Sequence, residues 1–425
     1  MATFITVWLG QLVSIVGSGL TGFALGVWVF QQTGSVTQYA LIGLCGVLPK
    51  IILSPYAGVI ADRVDRRLVM IAGDTGAGIS SLILALLFFT GRLEVWHIYA
   101  LTALSAAFST LQWPAFTAAT TLLVSKADLG RTNGMMQLGR AAAEILSPAL
   151  AGVLLGAIHM EGVILIDFVT FLLAVATLAF VRFPKAHETG GVAKVTLRQD
   201  LMVGWRYISA QPGLLGLLLF STAVNFLWGM VGALITPMIL GFASSEALGA
   251  IISIAGTGLL TGGLIMSLWG GPKRRIHGML VFELLSGLCF MLIGLRPVFW
   301  VTALGAFSAH LTIAIVSGSN QAIWQSKVAP NIQGRVFATQ QMIASAAAPL
   351  AYALAGPLAD KVFEPLLAEG SALAGSVGCL VGVGPGRGIG LLFIVMGAIK
   401  IGVTALGYAQ THVRLVEDEL PDVVG

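Results

Sequence analysis

Residues 58–70 have the sequence GVIADRVDRRLVM and join two apolar runs that are each long enough to cross a membrane. The charges of this stretch therefore lie in a very short connection between two helices. The backbone groups at the two helix ends need polar partners, because they have none within the helices themselves. Asp62 and the neighbouring arginines are suited to supply them. The stretch predicts a tight hairpin of two membrane helices.

The composition supports the same prediction. Hydrophobic residues make up 57% of the 425 residues and charged residues only 10%, whereas about a quarter of a soluble domain is charged. Disorder requires low hydrophobicity and high charge, so it is excluded. A soluble core cannot bury repeated uncharged runs of about twenty residues. The chain is therefore predicted to be an all-α membrane protein surrounded by a lipid bilayer.

The distribution of basic residues predicts the orientation. The net charge of +4 does not indicate nucleic-acid binding, because the basic residues form no continuous stripe and lie in short connectors. Sixteen of the 23 Lys and Arg residues fall on one side, four fall on the other, and three lie inside apolar runs. The basic side is expected to be cytoplasmic. An even number of spans places both termini there, in the plasma (inner) membrane.

Twelve spans are predicted from the apolar runs. They lie near residues 4–30, 37–61, 68–90, 96–124, 132–158, 162–182, 212–240, 246–270, 278–295, 298–326, 334–363 and 387–410. The longest polar stretch divides the chain into an N-terminal six-helix bundle (1–183), a cytoplasmic linker (184–211) and a C-terminal six-helix bundle (212–425). In the linker, the helical spacing of Leu201, Trp205 and Ile208 favours a short surface helix over a disordered segment. Only three residues precede the first span, where basic residues are usual, so we expect the natural chain to begin earlier.

The two halves repeat weakly, and the repeat has a known counterpart. The dipeptide Ser125-Lys126 before span 5 recurs as Ser326-Lys327 before span 11, and both spans contain a Pro–Gly segment. Together with the 58–70 motif, this pattern resembles the major facilitator superfamily, whose members have two pseudo-symmetric six-helix bundles. The DRxDRR variant at Asp62 is similar to the drug:proton antiporter branch that includes macrolide and siderophore exporters.

The resemblance implies several functional residues. It implies alternating access, with a gating motif formed by Gly58, Asp62, Arg63, Asp65, Arg66 and Arg67. In one state, Asp62 would accept hydrogen bonds from the start of span 11, near residues 333–336. The alternative is that these charges only determine topology. The Pro–Gly segments predict hinge or packing positions at Pro148, Gly152, Pro349 and Gly356.

Charges inside the membrane are expensive and are therefore functional candidates. Arg140 and Glu144 share one face of span 5, and Glu144 lies about 18 Å along that span at about 1.5 Å per residue. Lys50 on span 2 reaches a similar depth. We expect Arg140, Lys50 or both to neutralise Glu144, whose protonation would couple to transport. The alternative is a static ion pair. His310 on span 10 is a further proton-coupling candidate, although a lone histidine is more often a core residue.

The resemblance predicts a substrate cavity lined by spans 1, 4, 7 and 10. The aromatic or polar candidates on these spans are Trp28, Phe108, Trp113, Asn225, Phe226, Trp228 and Phe307, besides His310. Aromatic residues at helical spacing are also typical of core or lipid-facing positions, which is the alternative for each of them. Asp74, Asp167, Glu283 and Lys400 fall on spans that the resemblance places at the periphery, where we expect packing roles.

The preferred function is secondary export of drugs or hydrophobic natural products, coupled to protons. The substrate would be a small amphiphile, because the cavity spans carry few polar groups. Uptake of a small metabolite and a non-transporting receptor or scaffold remain alternatives. No nucleotide motif, hydrolase triad or metal-ligand spacing occurs. We therefore expect a protein that is not an enzyme and that binds no metal, cofactor or nucleotide. We also expect a monomer with no nucleic-acid partner.

Overall fold

A computed structural model describes residues 1–125, 128–181, 197–330, 332–371 and 373–420 of the chain. All regular structure in these residues is helical, which confirms the predicted all-α fold. The membrane-length helices are α1 (Ala2–Thr33), α2 (Val36–Arg63), α3 (Arg66–Phe89), α4 (Val95–Leu123), α5 (Leu129–Phe180), α7 (Pro212–Leu240), α8 (Ser245–Trp269), α9 (Arg275–Leu295), α10 (Phe299–Lys327), the consecutive pair α11 (Gln333–Ser345) and α12 (Ala347–Leu358), and α15 (Arg387–Ala409). The short helices are α6 (Leu197–Ser209), α13 (Glu364–Leu366), α14 (Val377–Val381), α16 (Thr411–Arg414) and α17 (Val416–Glu419).

The helix α5 contains two spans. It is 52 residues long and is interrupted at His159, where φ is 55° and ψ is −171°. A positive φ is uncommon for a residue with a side chain, and it turns the chain between two arms, where the sequence predicts a turn at 159–162. With α5 counted as two spans and α11 with α12 as one, the described residues contain twelve membrane-length segments, as predicted.

Helix ends follow from local sequence. Gly34 ends α1 with φ 61°, a left-handed conformation that glycine adopts without strain. The Ser35 hydroxyl then accepts a hydrogen bond from the Gln38 backbone N–H and caps α2. Pro212 begins α7 at a position where its missing N–H has no consequence.

The first compact unit comprises Met1–Val192 together with Ser244–Ser253. In it, α1 packs on α5, α2 packs on α4, and α3 packs on both α4 and α5. Buried apolar side chains such as Phe4, Met70 and Ile164 fill the space between these helices.

The second compact unit comprises Ala193–Ala243 and Ile254–Gly425. Here α9 packs on α10 and α15, and α7 packs on α12. The linker helix α6 is present where the residue spacing predicts a helix, and it packs on α11. Ile208 is fully buried, whereas Trp205 is 46% exposed, so α6 has one buried and one exposed face. The first residues of the predicted linker lie outside the described residues.

Span 11 is interrupted at a single residue, Ala346, whose φ of −64° and ψ of −16° stay in the helical region. α11 ends at Ser345 and α12 begins at Ala347. Pro349 has no N–H to donate to the Ser345 carbonyl, and its ring crowds that carbonyl, which explains the position of the break.

The outer faces of the helices are apolar. Leu138, Val153, Leu264 and Leu268 are each more than 60% exposed. Contiguous apolar surface of this kind is unusual for a soluble monomer. Ten helices of the described residues are both long and apolar enough to cross a membrane, a count that takes α5 as one helix and does not include α4. The protein is therefore a multi-pass membrane protein.

Candidate functional site

The start of α3 carries three residues of the predicted gating motif, and each has a definite local role. The Asp65 carboxylate accepts the Arg67 backbone N–H at 2.8 Å and caps α3. The Arg67 side chain donates to the Leu178 and Ala179 carbonyls at 2.9 and 2.6 Å. These two carbonyls belong to the last turn of α5, where no helical N–H is available to them.

Arg66 makes a similar contact with a different helix. Its Nη1 donates to the Ala118 carbonyl oxygen of α4 at 2.7 Å. Ala118 lies five residues before the end of α4. The two arginines therefore join the start of α3 to the C-terminal parts of α4 and α5. Gly58, Asp62 and Arg63 belong to α2, and their surroundings lie outside what the structure describes.

A cavity of about 660 Å³ lies within the first unit. Five helices contribute to its wall, including α1 and α4, which the sequence predicts, and also α2, α3 and α5. The side chains that carry its chemistry are Gln11, Ser14, Ser18, Lys50, Ser54, Asp74, Ser109, Gln112, Trp113, Phe116, Arg140, Glu144 and Ser147. Gln11, Ser14 and Ser18 recur at helical spacing, so α1 presents one polar face to the cavity.

The cavity brings together Lys50, Arg140 and Glu144, as the sequence predicts. All three side chains are exposed, so their charges are accessible rather than sealed in hydrocarbon. The expected direct ion pair to Glu144 is absent among the described residues. Arg140 instead places its guanidinium 4.5 Å from the Trp113 ring centroid, in a cation–π contact. Among the described residues, these charges thus line the cavity without forming one static pair with Glu144.

Asp74 also faces this cavity, although the sequence predicts a peripheral packing role for it. It is only 3% exposed, and it accepts hydrogen bonds from the amides of Gln11 and Gln112 at 2.8 and 2.6 Å. The predicted packing role rested on the position of Asp74 in span 3, and it is wrong because the side chain contacts α1 and α4 and lines the cavity. The two glutamines inside apolar runs are the signal that could have located the cluster.

A second buried carboxylate lies on the later arm of α5. Asp167 is 2% exposed and accepts hydrogen bonds from Ser18 at 3.1 Å and Ser81 at 2.7 Å. It does not line the cavity. Its contacts join α5 to α1 and α3, which agrees with the packing role predicted for it.

In the second unit, a buried ion pair joins α9 to α15. Lys400 Nζ lies 2.8 Å from Glu283 Oε2, and the two side chains are 0% and 4% exposed. The same ammonium donates to the Ser286 hydroxyl at 2.8 Å and lies 5.0 Å from the Trp228 ring centroid. The predicted packing roles of Glu283 and Lys400 fit this arrangement.

The remaining predicted cavity residues have mixed environments. Trp28 packs edge-on against Phe88, and the Phe108 ring fills the space beside Gly76. In the second unit, the His310 ring lies 5.3 Å from Trp228, with Nδ1 2.9 Å from the Ala306 carbonyl oxygen. Asn225 is exposed there, whereas Phe226 and Phe307 are half-buried.

The predicted hinge positions differ in how tightly they pack. Gly152 and Pro148 of α5 lie against the first turns of α8, within the first unit. A Cβ at Gly249 would overlap the Pro148 carbonyl oxygen, and a Cβ at Gly152 would come within 2.8 Å of the Ser245 carbonyl oxygen. Gly356 is buried within α12, and Pro349 lies just after the break in span 11.

Known proteins share both this sequence pattern and this fold. The Major Facilitator Superfamily profile matches residues 7–352. Macrolide efflux protein A of Streptococcus pyogenes is 28% identical over 363 residues, covering 84% of this chain and 90% of that protein. The multidrug efflux pump Tap of Mycobacterium tuberculosis is 27% identical over 364 residues, covering 82% and 85%.

A solved structure shares the fold at low sequence identity. It is a bacterial homolog of the human lysosomal transporter Spinster, in an inward-facing and unoccupied conformation. Its TM-score is 0.72 at 13% identity, with 100% of this chain and 98% of that chain covered. The profile match spans most of the chain and includes the 58–70 motif and the residues that line the cavity, so this protein belongs to the Major Facilitator Superfamily of transporters.

Proposed function

We propose that this protein exports drugs or hydrophobic natural products, macrolide- or siderophore-like, from the cell by proton antiport with alternating access. The observation that carries the proposal is the cavity of about 660 Å³ in the first unit. Its volume suits a drug-sized ligand. Similarity to proteins named macrolide efflux protein A and multidrug efflux pump Tap supports export rather than uptake.

The cavity wall suits an amphiphilic substrate. Trp113 and Phe116 supply flat apolar surface, while Lys50, Arg140 and Glu144 supply both signs of charge. A sugar site would need many convergent hydroxyl and amide groups, whereas a bulky amphiphile needs a large apolar wall and a few polar anchors.

Proton coupling is assigned to titratable groups within the spans. Glu144 is the first candidate, because its carboxylate is accessible from the cavity that Lys50 and Arg140 also line. His310, at 5.3 Å from Trp228 in the second unit, is a further candidate. A change of charge at Glu144 would alter the electrostatic field that acts on a substrate bound in this cavity.

The gate is assigned to the 58–70 motif, on the cytoplasmic side of the plasma membrane. Arg66 and Arg67 hold α3 to α4 and α5, which supports movement of the first unit as one body. Asp62 would then make and break the contact that distinguishes the two states. In this scheme both termini are cytoplasmic, and the monomer is the transporting unit.

The proposal is tested by expressing the chain in bacteria that lack their main exporters. We expect the minimal inhibitory concentration of erythromycin to rise, and a protonophore to abolish the rise. Asp62→Asn is the matched control, because it should reach the membrane in normal amount and export poorly. Increased erythromycin sensitivity would indicate an importer. An unchanged sensitivity towards macrolides and a broad panel of amphiphiles would contradict transport of this substrate class.

A further inference from the structure

Asp74 is a buried carboxyl group with direct access to the cavity. It lies in the third turn of α3, is 3% exposed, and still contributes to the cavity wall. A buried carboxyl is expensive inside a membrane and is a functional candidate by default. Within the described residues, Asp74 forms no ion pair.

The partners of Asp74 are two neutral amides on two other helices. Gln11 Nε2 of α1 donates to Asp74 Oδ2 at 2.8 Å. Gln112 Nε2 of α4 donates to Asp74 Oδ1 at 2.6 Å and to Gln11 Oε1 at 2.6 Å. The three side chains form a closed hydrogen-bonded triangle that joins α1, α3 and α4.

This triangle can satisfy the carboxyl group in either protonation state. The carboxylate accepts two N–H groups, as observed. The carboxylic acid has an O–H to donate, and a glutamine amide that rotates by half a turn presents its oxygen as the acceptor. Both forms of a buried polar group can therefore remain hydrogen-bonded, which avoids the large cost of an unpaired group.

The other buried acids lack this combination. Glu283 is bound to the ammonium of Lys400 at 2.8 Å, so protonating it would leave a buried cation without its counter-ion. Asp167 has hydroxyl partners, which can also reverse, but it does not line the cavity. Only Asp74, among these three, combines reversible partners with access to cavity water.

The charged groups around Asp74 come from two of the four helices beside it. α1 and α4 present the amides of Gln11 and Gln112. α2 presents Lys50, and α5 presents Arg140 and Glu144 to the cavity, with Asp167 behind the wall. A proton on Asp74 makes the cavity more positive by one charge.

We propose that Asp74 is a proton-binding site of the transport cycle, distinct from Glu144, and that one of its two glutamine partners reverses its amide when the proton binds. The step is a simple proton transfer, in which an O–H bond forms on Asp74 as cavity hydronium becomes water. Reversal of either amide breaks the hydrogen bond from Gln112 to Gln11, so it changes the link between α1 and α4. The proposal rests on the proton antiport proposed above.

The first test measures proton binding directly. Infrared difference spectra of the purified full-length protein, recorded through a pH titration, report the C=O stretch of protonated carboxyl groups. We expect Asp74→Asn to remove one titrating band and Asp74→Glu to restore a shifted one. A titration that is unchanged in Asp74→Asn would overturn the proposal, whether or not a substrate is known.

The second test measures coupling in phosphatidylethanolamine–phosphatidylglycerol vesicles with radiolabelled erythromycin. We expect Asp74→Asn to keep exchange of erythromycin across the membrane and to lose accumulation driven by a pH gradient. Asp167→Asn, the matched control, should keep both. If Asp74→Asn still accumulates erythromycin in response to a pH gradient, Asp74 has no role in proton coupling. If the unaltered protein shows no pH-driven accumulation, the antiport proposal fails, and the infrared titration still decides whether Asp74 binds a proton.

Discussion

Within the described part of the chain, the recorded side-chain partners of Arg66 and Arg67 are backbone carbonyl oxygens. A guanidinium group has several donors in a fixed plane, so it can satisfy two neighbouring carbonyls at a helix end. The predicted gating motif therefore also fastens α3 to α4 and α5. Substitutions in it are expected to affect both stability and transport, and single substitutions of its side chains distinguish the two effects.

Arg67→Ala is expected to destabilise the protein in detergent. It removes the hydrogen bonds to Leu178 and Ala179, and hydrogen bonds to a charged group contribute roughly 1.5–3 kcal/mol. Arg67→Lys should be intermediate, because an ammonium lacks the planar fork. The measurement is the thermal unfolding midpoint. Arg274→Ala is the control, since its ion pair with Asp418 is exposed on both sides, and an equal loss there would contradict the assignment.

Glu144→Gln is expected to weaken proton coupling while leaving the protein folded. The side chain is exposed in the cavity and makes no direct ion pair within the described residues, so its neutral analogue should leave the thermal midpoint nearly unchanged. Erythromycin accumulation in vesicles should lose its dependence on the pH gradient. Accumulation against the gradient with an unchanged proton dependence would disprove the role of Glu144.

Two contacts between helices, one in each unit, differ in the side chains that form them. α5 meets the first turns of α8 through glycines, which allow backbones to approach closely. α9 meets α15 through a buried ion pair, whose partners are strongly dependent on one another. Each junction predicts a distinct pattern of mutational effects.

Gly249→Ala is expected to reduce transport and stability. Its Cβ would overlap the Pro148 carbonyl oxygen, so α8 would have to move away from α5. Gly263→Ala on the same helix is the control, because nothing lies within 4 Å of its Cβ. Replacing glycine by alanine in a helix stabilises it by about 1 kcal/mol when there is room. The two substitutions should therefore shift the thermal midpoint in opposite directions, and equal shifts would contradict the close packing.

A double-mutant cycle tests the junction between α9 and α15. Removing one partner of a buried ion pair costs roughly 3–5 kcal/mol, whereas replacing both by apolar residues is often nearly neutral. Glu283→Leu and Lys400→Leu should each lower the amount of folded protein, and the double variant should recover much of it. Additive losses would show that the pair is not coupled.

For the whole molecule, the predicted orientation can be measured with native cysteines. Cys379 is exposed in α14, on the side opposite the basic connectors, whereas Cys45 and Cys289 are half-buried. A membrane-impermeant maleimide should label Cys379 from outside intact cells. Arg274→Cys, in a chain with Cys379→Ser, should be labelled only after the cells are opened. The reverse pattern would contradict the predicted topology.

Much of the fold follows from the sequence, because hydropathy reports directly on what a bilayer selects. Each predicted span lies within a few residues of its helix. The spacing of Leu201, Trp205 and Ile208 predicted the helix α6 but not its faces, because Ile208 is buried and Trp205 is exposed. The contacts between distant helices do not follow, because hydropathy does not record which way a polar side chain turns. Asp74 and its two glutamines are far apart in sequence, and Arg140 binds Trp113 rather than Glu144. The 58–70 motif indicated the family, but the carbonyl partners of Arg66 and Arg67 needed the three-dimensional structure.

The pair formed by Glu283 and Lys400 has a consequence for biosynthesis. A lysine at the centre of a lone membrane helix costs about 2.5–3.5 kcal/mol to insert, so α15 enters the bilayer more easily with α9 already beside it. α9 is made first and carries an uncompensated acid until the last span arrives. A chain truncated before α15 therefore leaves the carboxylate of Glu283 inside the membrane without its counter-ion.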